Sequence, residues 1–142
     1  MRVAIGSDHA GIDYKAAFVE LLTELGHEVK DFGTHDATSV DYPDYIRPVA
    51  EAVACGDFER GVVLGGSGNG EQMVANKVKG IRCALCWDVT TARLARQHND
   101  ANMMSLGQRV VGLETAKEAL RTFMTTAFDG GRHAARIAKI EP

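Results

Sequence analysis

Short apolar runs alternate with helix-period segments along the whole chain, and this alternation predicts its secondary structure. The five apolar runs have the length of buried strands: Arg2–Ile5, Glu28–Phe32, Gly61–Leu64, Ile81–Cys86 and Met103–Leu106. The segments between and after them predict helices: Ile12–Leu25, Tyr42–Cys55, Gly70–Val78, Val89–Gln97 and Leu113–Ala127, followed by a last helical segment, Gly131–Ile140.

Repeated strand–helix units predict an α/β fold in which a parallel sheet carries helices on both faces. The length of 142 residues favours one domain spanning residues 1–142. Ligands of such sheets bind beyond the carboxyl ends of the strands. We therefore expect three loops to form the site, Gly6–Gly11, Gly65–Gly70 and Gly107–Gly112, with the longer loop Gly33–Asp41 helping to cover it.

The loop after the third predicted strand carries the strongest chemical signal. Its sequence GGSGNGE ends in Glu71, directly before a predicted helix. Glycines and helix N-terminal amides can bind an anion, and a carboxylate beside such a loop can remove a proton next to a carbonyl. The alternative is that Glu71 only complements the helix dipole. Ser67 does not lie in a G-x-S-x-G elbow, so we expect it to bind an oxyanion rather than act as a nucleophile.

Other candidate residues each have a structural alternative. Asp8 and His9 follow the first strand, where Asp8 could simply cap the next helix. His98 precedes the fifth strand and could move protons at neutral pH, although a single loop histidine is more often a surface residue. Arg109 follows the fifth strand. Arg132 and Arg136 share one helical face and could bind a phosphate together, or form a solvated basic surface.

Composition excludes several function classes. The net charge of -3 and the absence of a basic block argue against nucleic-acid binding, and no apolar run reaches membrane-spanning length. Three cysteines fit a reducing compartment, and with no signal peptide at the start we expect a cytoplasmic protein. Cys83 and Cys86 spell C-x-x-C, but on a strand they point to opposite faces, so we expect two buried thiols.

The motifs SDHAG, DYPDY, GGSGNGEQMVANK, GIRCAL, RQHNDANMMSLGQRVVG and GGRHAARI, in this order, resemble the B-type ribose-5-phosphate isomerases and the related galactose- and allose-6-phosphate isomerase subunits. The resemblance covers almost the whole chain. It implies a Rossmann-like αβα fold and an aldose–ketose isomerase that needs neither metal nor cofactor. It also implies a homodimer, possibly assembled into a tetramer, with its active sites at the interface.

The resemblance also implies roles for individual residues. Glu71 is similar to the base that moves a proton between C1 and C2, beside an enediolate cradle formed by Gly66, Ser67, Gly68, Asn69 and Gly70. His98, assisted by Asp8, resembles the group that opens the sugar ring, and Asn99 contacts the sugar. The phosphate-binding positions are His9, Arg109, Arg132 and Arg136, the last two reaching across from the partner subunit.

The chain departs from many relatives at Ser67, where they carry a cysteine whose thiolate is the base. A serine hydroxyl is too weakly acidic for that role, so the chain resembles the branch that uses Glu71. The glycine loop does not separate ribose 5-phosphate from tetrose or hexose phosphates. A nucleotide-binding module is disfavoured because the glycines fit neither G-x-G-x-x-G nor a P-loop. A receiver-type signalling domain would need an aspartate where the chain has Gly65 and Gly66.

Overall fold

A computed structural model describes all 142 residues and contains one five-stranded parallel sheet. The strands are β1 (Arg2–Ser7), β2 (Glu28–Asp31), β3 (Arg60–Gly65), β4 (Cys83–Leu85) and β5 (Met103–Gly107). Their order across the sheet is β2-β1-β3-β5-β4. This confirms the predicted α/β class and the parallel sheet.

Six α-helices connect or follow the strands. They are α1 (Ile12–Glu24), α2 (Tyr42–Ala54), α3 (Asn69–Asn76), α4 (Val89–Asn99), α5 (Leu113–Thr125) and α6 (Arg132–Ile137). A 3₁₀ turn, His9–Gly11, lies between β1 and α1. No helix is both long and apolar enough to span a lipid bilayer.

Two hydrophobic cores lie on opposite faces of the sheet, because successive strand residues point to alternate sides. The first packs α1, α4 and α5 against the sheet around Phe18, Leu64 and Phe123. The second packs α2 and α3 around Ile46 and Val63. These layers confirm the three-layer αβα, Rossmann-like architecture.

The C-x-x-C prediction is confirmed. Cys83 belongs to the second core and Cys86 to the first, so their side chains face opposite sides of the sheet. Both are free thiols, and burial raises the pKa of Cys83 well above its usual value and that of Cys86 to about 12. Neither is suited to redox chemistry, which needs an accessible thiolate.

Candidate active site

A cleft of about 510 Å³ opens at the carboxyl edge of the sheet. The three loops selected from the sequence all contribute to it, together with the first residue of α2. The lining residues are Asp8, His9, Ala10, Tyr42, Gly66, Ser67, Gly70, Glu71, Arg109 and Val110. Acidic, basic and hydroxyl groups therefore meet in one place.

A second cleft, of about 590 Å³, runs along the edge strand β4. It is lined mainly by apolar side chains, including Ile81, Leu85 and Trp87, and holds neither a carboxylate nor a histidine. Although it is the larger cleft, it lacks groups that could transfer a proton. We therefore place the chemistry in the cleft at the carboxyl edge.

Glu71 lies in the first turn of α3 with its carboxyl group folded back onto the end of β3. Its side chain packs so closely on Gly65 that a Cβ atom at that glycine would lie 1.9 Å from Glu71 Oε1. Only 4% of Glu71 is exposed. Burial raises the pKa of its carboxyl and the neighbouring Asp8 raises it further, whereas the backbone N–H of Glu71 lowers it.

The glycine loop is held from below by the neighbouring strand. Gly68 has a φ of +83°, which favours glycine, and the buried hydroxyl of Ser105 donates a 2.7 Å hydrogen bond to its carbonyl. Gly107 leaves room for the backbone of Ser67, which a Cβ atom would approach within 2.4 Å. At the top of the loop, Ser67 Oγ accepts a 3.2 Å hydrogen bond from the Asn69 N–H. Ser67 and Asn69 are exposed at the start of α3.

Arg109 reaches the cleft because the loop after β5 is bonded to the loop after β3. Its backbone N–H donates to the Gly66 carbonyl at 2.9 Å, and the Gln108 N–H donates to the Gly65 carbonyl at 2.9 Å. The guanidinium lies over Gly66, where a Cβ atom would be 3.3 Å from Arg109 Nη1. An exposed arginine in this position can bind an anion in the cleft.

Asp8 and His9 are fixed by their own hydrogen bonds. Asp8 Oδ1 accepts from the Ala10 N–H at 2.9 Å, so this aspartate does cap the turn that follows β1, and it is still buried beside Glu71. His9 Nδ1 accepts from the Val40 N–H at 3.2 Å. Nε2 of the neutral ring therefore carries the proton and can donate a hydrogen bond.

Comparisons with known proteins identify the family of this chain. The family model described as Ribose/Galactose Isomerase matches residues 3–140. The chain belongs to this family.

The relatives are similar over nearly their full length. A structural study of Clostridium thermocellum ribose-5-phosphate isomerase B gives a TM-score of 0.97 at 50% identity, covering 99% of this chain and 95% of that one. The Escherichia coli ribose-5-phosphate isomerase B is 42% identical over 98% of this chain and 93% of its own. The Mycobacterium tuberculosis enzyme of the same name is 44% identical, with 96% and 86% covered. The predicted family, the B-type ribose-5-phosphate isomerases, and the predicted enzyme class, an aldose–ketose isomerase, are thereby confirmed.

Four residues that the family resemblance implies for the site lie elsewhere in this chain. His98 and Asn99 are the last residues of α4, and α4 leads into the start of β5. The cleft lies at the other end of β5, so these residues are at the opposite edge of the sheet from Glu71. Asp8 and His98 of the same chain therefore cannot contact each other, and the expectation that Asp8 assists His98 stays a prediction. His98 is also part of a helix, not of a loop as the sequence suggested.

Arg132 and Arg136 are exposed residues of α6, a helix that packs on α4 and has no buried residue. The ring of His133, also on α6, stacks on His98 with centroids 4.4 Å apart and planes inclined by 14°. The two arginines and the two histidines thus form one basic group, which we call the α4–α6 cluster.

Asp129 lies close enough to the two histidines for their ligand atoms to fall within 4.8 Å of one another. The lone pairs of imidazole nitrogens lie in the ring planes, and two nearly parallel rings do not direct them to a common point. The positive charges of Arg132 and Arg136, which belong to the same cluster, would repel a metal cation. We therefore assign no metal ion to this arrangement.

Tyr42 is a cleft residue that the sequence analysis did not select. It begins α2, and its ring packs on Gly70, where a Cβ atom would lie 2.6 Å from Cζ. The available signal was its position, because a helix that follows a strand in this fold begins at the carboxyl edge. The close packing of the Tyr42 ring also explains why residue 70 is a glycine.

Proposed function

We propose that this protein interconverts ribose 5-phosphate and ribulose 5-phosphate, with Glu71 as the base. The observation that carries the proposal is the buried Glu71 carboxyl, which lies between the glycine loop and a cleft containing Arg109 and His9. The names of the relatives support the substrate, since the enzymes of Escherichia coli and Mycobacterium tuberculosis are both ribose-5-phosphate isomerases.

The reaction follows from these positions. Arg109 and His9 bind the phosphate, and ring opening exposes the C1 aldehyde. Glu71 removes the proton from C2, the electron pair of that C–H bond forms the C1–C2 double bond, and the carbonyl oxygen becomes an enediolate oxygen. Backbone N–H groups of the loop from Gly66 to Gly70 stabilise this oxygen, as oxyanion donors do in other enzymes. Glu71 then returns the proton to C1, and the proton of the C2 hydroxyl moves to O1 to give the ketose.

Glu71 is a suitable base in this position, and Ser67 is not. Burial raises the pKa of the carboxyl toward the pH at which it can both accept and return a proton. The hydroxyl of Ser67 is exposed and accepts a hydrogen bond from the Asn69 N–H. This arrangement supports the glutamate branch of the family, with Ser67 contributing to the oxyanion cradle.

The α4–α6 cluster completes the site only if it comes from a second copy of the chain. Within one chain the sheet separates it from Glu71, so His98, Asn99, Arg132 and Arg136 cannot contact a sugar in the same cleft. We propose a homodimer in which each copy supplies this cluster to the cleft of its partner. His98 would then open the furanose ring, and the two arginines would help to bind the phosphate.

The experiment that tests the base is Glu71→Gln. We expect kcat to fall by at least about a thousandfold, because the amide cannot accept the C2 proton. Calorimetry with ribose 5-phosphate should show binding within a few fold of the unmodified protein, since the phosphate contacts remain. A kcat within tenfold of the unmodified protein would remove Glu71 from the role of base.

The substrate is tested separately, by comparing kcat/KM for four-, five- and six-carbon aldose phosphates. We expect ribose 5-phosphate to be the best substrate. A higher kcat/KM for a tetrose or hexose phosphate would keep the mechanism and change the substrate.

Free thiols at all three cysteines support the expected cytoplasmic location.

A further inference from the structure

One buried cation lies outside the residues used so far. Lys15 belongs to the first turns of α1, yet only 3% of it is exposed. Its Nζ donates a 2.7 Å hydrogen bond to Asp31 Oδ1 at the end of β2, and a further hydrogen bond to the carbonyl of Thr34. Burying an ammonium group is costly unless such partners are present, so these two contacts must be maintained in the fold.

Both contacts of Lys15 lead to residues 32–41, which we call the cover segment. Its first part is bonded to the end of β1, since the Ser7 N–H donates to the Gly33 carbonyl at 2.8 Å and the Thr34 N–H donates to the Ser7 carbonyl at 2.7 Å. Asp31 Oδ1 accepts a second hydrogen bond, at 2.8 Å, from the Gly33 N–H. Lys15 therefore anchors the base of the cover segment directly and through Asp31.

The far end of the cover segment contacts a residue of the site. The Val40 N–H donates to His9 Nδ1 at 3.2 Å, and the segment leads directly into Tyr42, whose ring lines the cleft. Between the two anchors, residues 35–39 are exposed. The segment is thus hydrogen-bonded at both ends, to Lys15 at its base and to His9 at its far end.

We propose that Lys15 is a positioning residue for phosphate binding, acting through the cover segment on the tautomer of His9. While Val40 donates to Nδ1, the neutral ring keeps its proton on Nε2 and presents a donor to the cleft. Without the Lys15 anchor, the Val40 contact loosens and the ring is free to adopt the other tautomer, which offers the cleft an acceptor instead. The expected change in KM rests on the proposed function, whereas the expected change in the His9 tautomer does not.

Lys15→Met tests the proposal, because methionine keeps most of the buried stem and removes the charge and both hydrogen bonds. We expect KM for ribose 5-phosphate to rise about tenfold, the effect of losing one charge-assisted contact, while kcat stays within about twofold. In nitrogen-15 NMR spectra of selectively labelled protein, the His9 signals should shift from the Nε2–H form toward a mixture of tautomers. Lys15→Arg, which retains the charge and the donors, should restore most of both readouts.

Met124→Ala is the matched control. Met124 is buried near the end of α5 and belongs to the first core, whereas Phe32 of the cover segment packs on the second core, so this truncation lowers stability away from the cover segment. If Lys15→Met lowers the melting temperature as the control does but leaves KM and the His9 tautomer unchanged, Lys15 is only structural and the proposal fails.

If Lys15→Met does not fold, Asp31→Ala gives the same test. It removes the acceptor shared by Lys15 and Gly33, and its position is partly solvated, since 32% of the Asp31 side chain is exposed. An unchanged His9 tautomer in a folded Asp31→Ala protein would also overturn the proposal. If the unmodified protein does not isomerise ribose 5-phosphate but the variants show the expected tautomer shift, the result counts against the proposed function alone.

Discussion

The contact between Gly65 and Glu71 shows how much the proposed base depends on one missing methyl group. The backbone at Gly65 has an ordinary φ, so the glycine is required for space and not for conformation. The carboxyl of Glu71 occupies the volume that a side chain at this position would need. The strand end and the base therefore fit only as a pair.

We accordingly expect Gly65→Ala to lower kcat by at least about a hundredfold, because its Cβ atom would displace the Glu71 carboxyl by more than 1 Å. Steady-state kinetics and circular dichroism would separate this loss from unfolding. Gly112→Ala is the matched control, since a Cβ atom there meets nothing within 4 Å, and it should retain activity. Equal activity in the two variants would contradict the assigned position of the base.

Burial of Glu71 also predicts opposite pH effects on activity and on stability. The ionised carboxyl is the active form, so kcat should fall on acidification at a pH above the usual glutamate value of 4.5. The pKa of Glu71 is higher in the folded than in the unfolded protein, so the protonated carboxyl stabilises the fold. This stabilisation is complete at pH values below the unfolded-state pKa and is lost as the pH rises through the folded-state pKa. Glu71→Gln lacks that loss, so it should melt higher than the unmodified protein at neutral pH, with a smaller difference at pH 4. Scanning calorimetry at both pH values would test this, and a lower melting temperature of the variant at neutral pH would contradict it.

At the level of helices and strands, β5 helps to position the glycine loop from Gly65 to Gly70. Ser105 is fully buried in β5, and its hydroxyl bonds the Gly68 carbonyl at the start of α3. Moving this carbonyl would rotate the first turn of α3, which carries Glu71. The strand thus sets the direction of the amides that face the cleft.

Ser105→Ala should lower stability by about 1–2 kcal/mol and also lower kcat by about tenfold. Asp88→Ala is the comparison, because it removes the capping box at the start of α4 and so lowers stability without contacting the loop. Urea denaturation and kcat should be measured on both proteins. A similar kcat in the two variants would mean that Ser105 contributes to stability alone.

Most element positions could be predicted because apolar periodicity is local information. The least accurate prediction was the fourth strand, expected over Ile81–Cys86 and formed only over Cys83–Leu85. Ile81 is bonded into a turn with the Val78 carbonyl, and the Arg82 N–H donates to the side chain of Asn102. Such tertiary partners leave no periodic signal. Lys15 escaped notice for the same reason, since a lysine in a helix pattern suggests a surface position.

For the molecule as a whole, the sequence predicted which residues meet in the cleft better than it predicted which residues lie away from it. Parallel topology was enough to bring Asp8, Glu71 and Arg109 to one edge of the sheet. The family resemblance assigned Arg132 and Arg136 to the partner copy but did not say which copy supplies His98, and only the fold shows that His98 lies away from the cleft of its own chain. The end of α4 at the opposite edge is what separates the two groups.

This separation predicts complementation between inactive proteins. Glu71→Gln and His98→Ala should each be nearly inactive alone. After mixing, unfolding and refolding in equal amounts, half of the dimers should be mixed, each with one intact site, and activity should recover to about a quarter of the unmodified level. No recovery, with mixed dimers verified by native mass spectrometry, would place both residues in the same copy.

The burial of two of the three cysteines gives the molecule a single convenient attachment point. Cys83 and Cys86 are held within the cores as protonated thiols, whereas Cys55 is exposed just after the last turn of α2. A maleimide dye should therefore modify the native protein once, at the edge of the sheet away from the cleft. Two differently coloured preparations could then report subunit exchange by energy transfer, with no engineered residue.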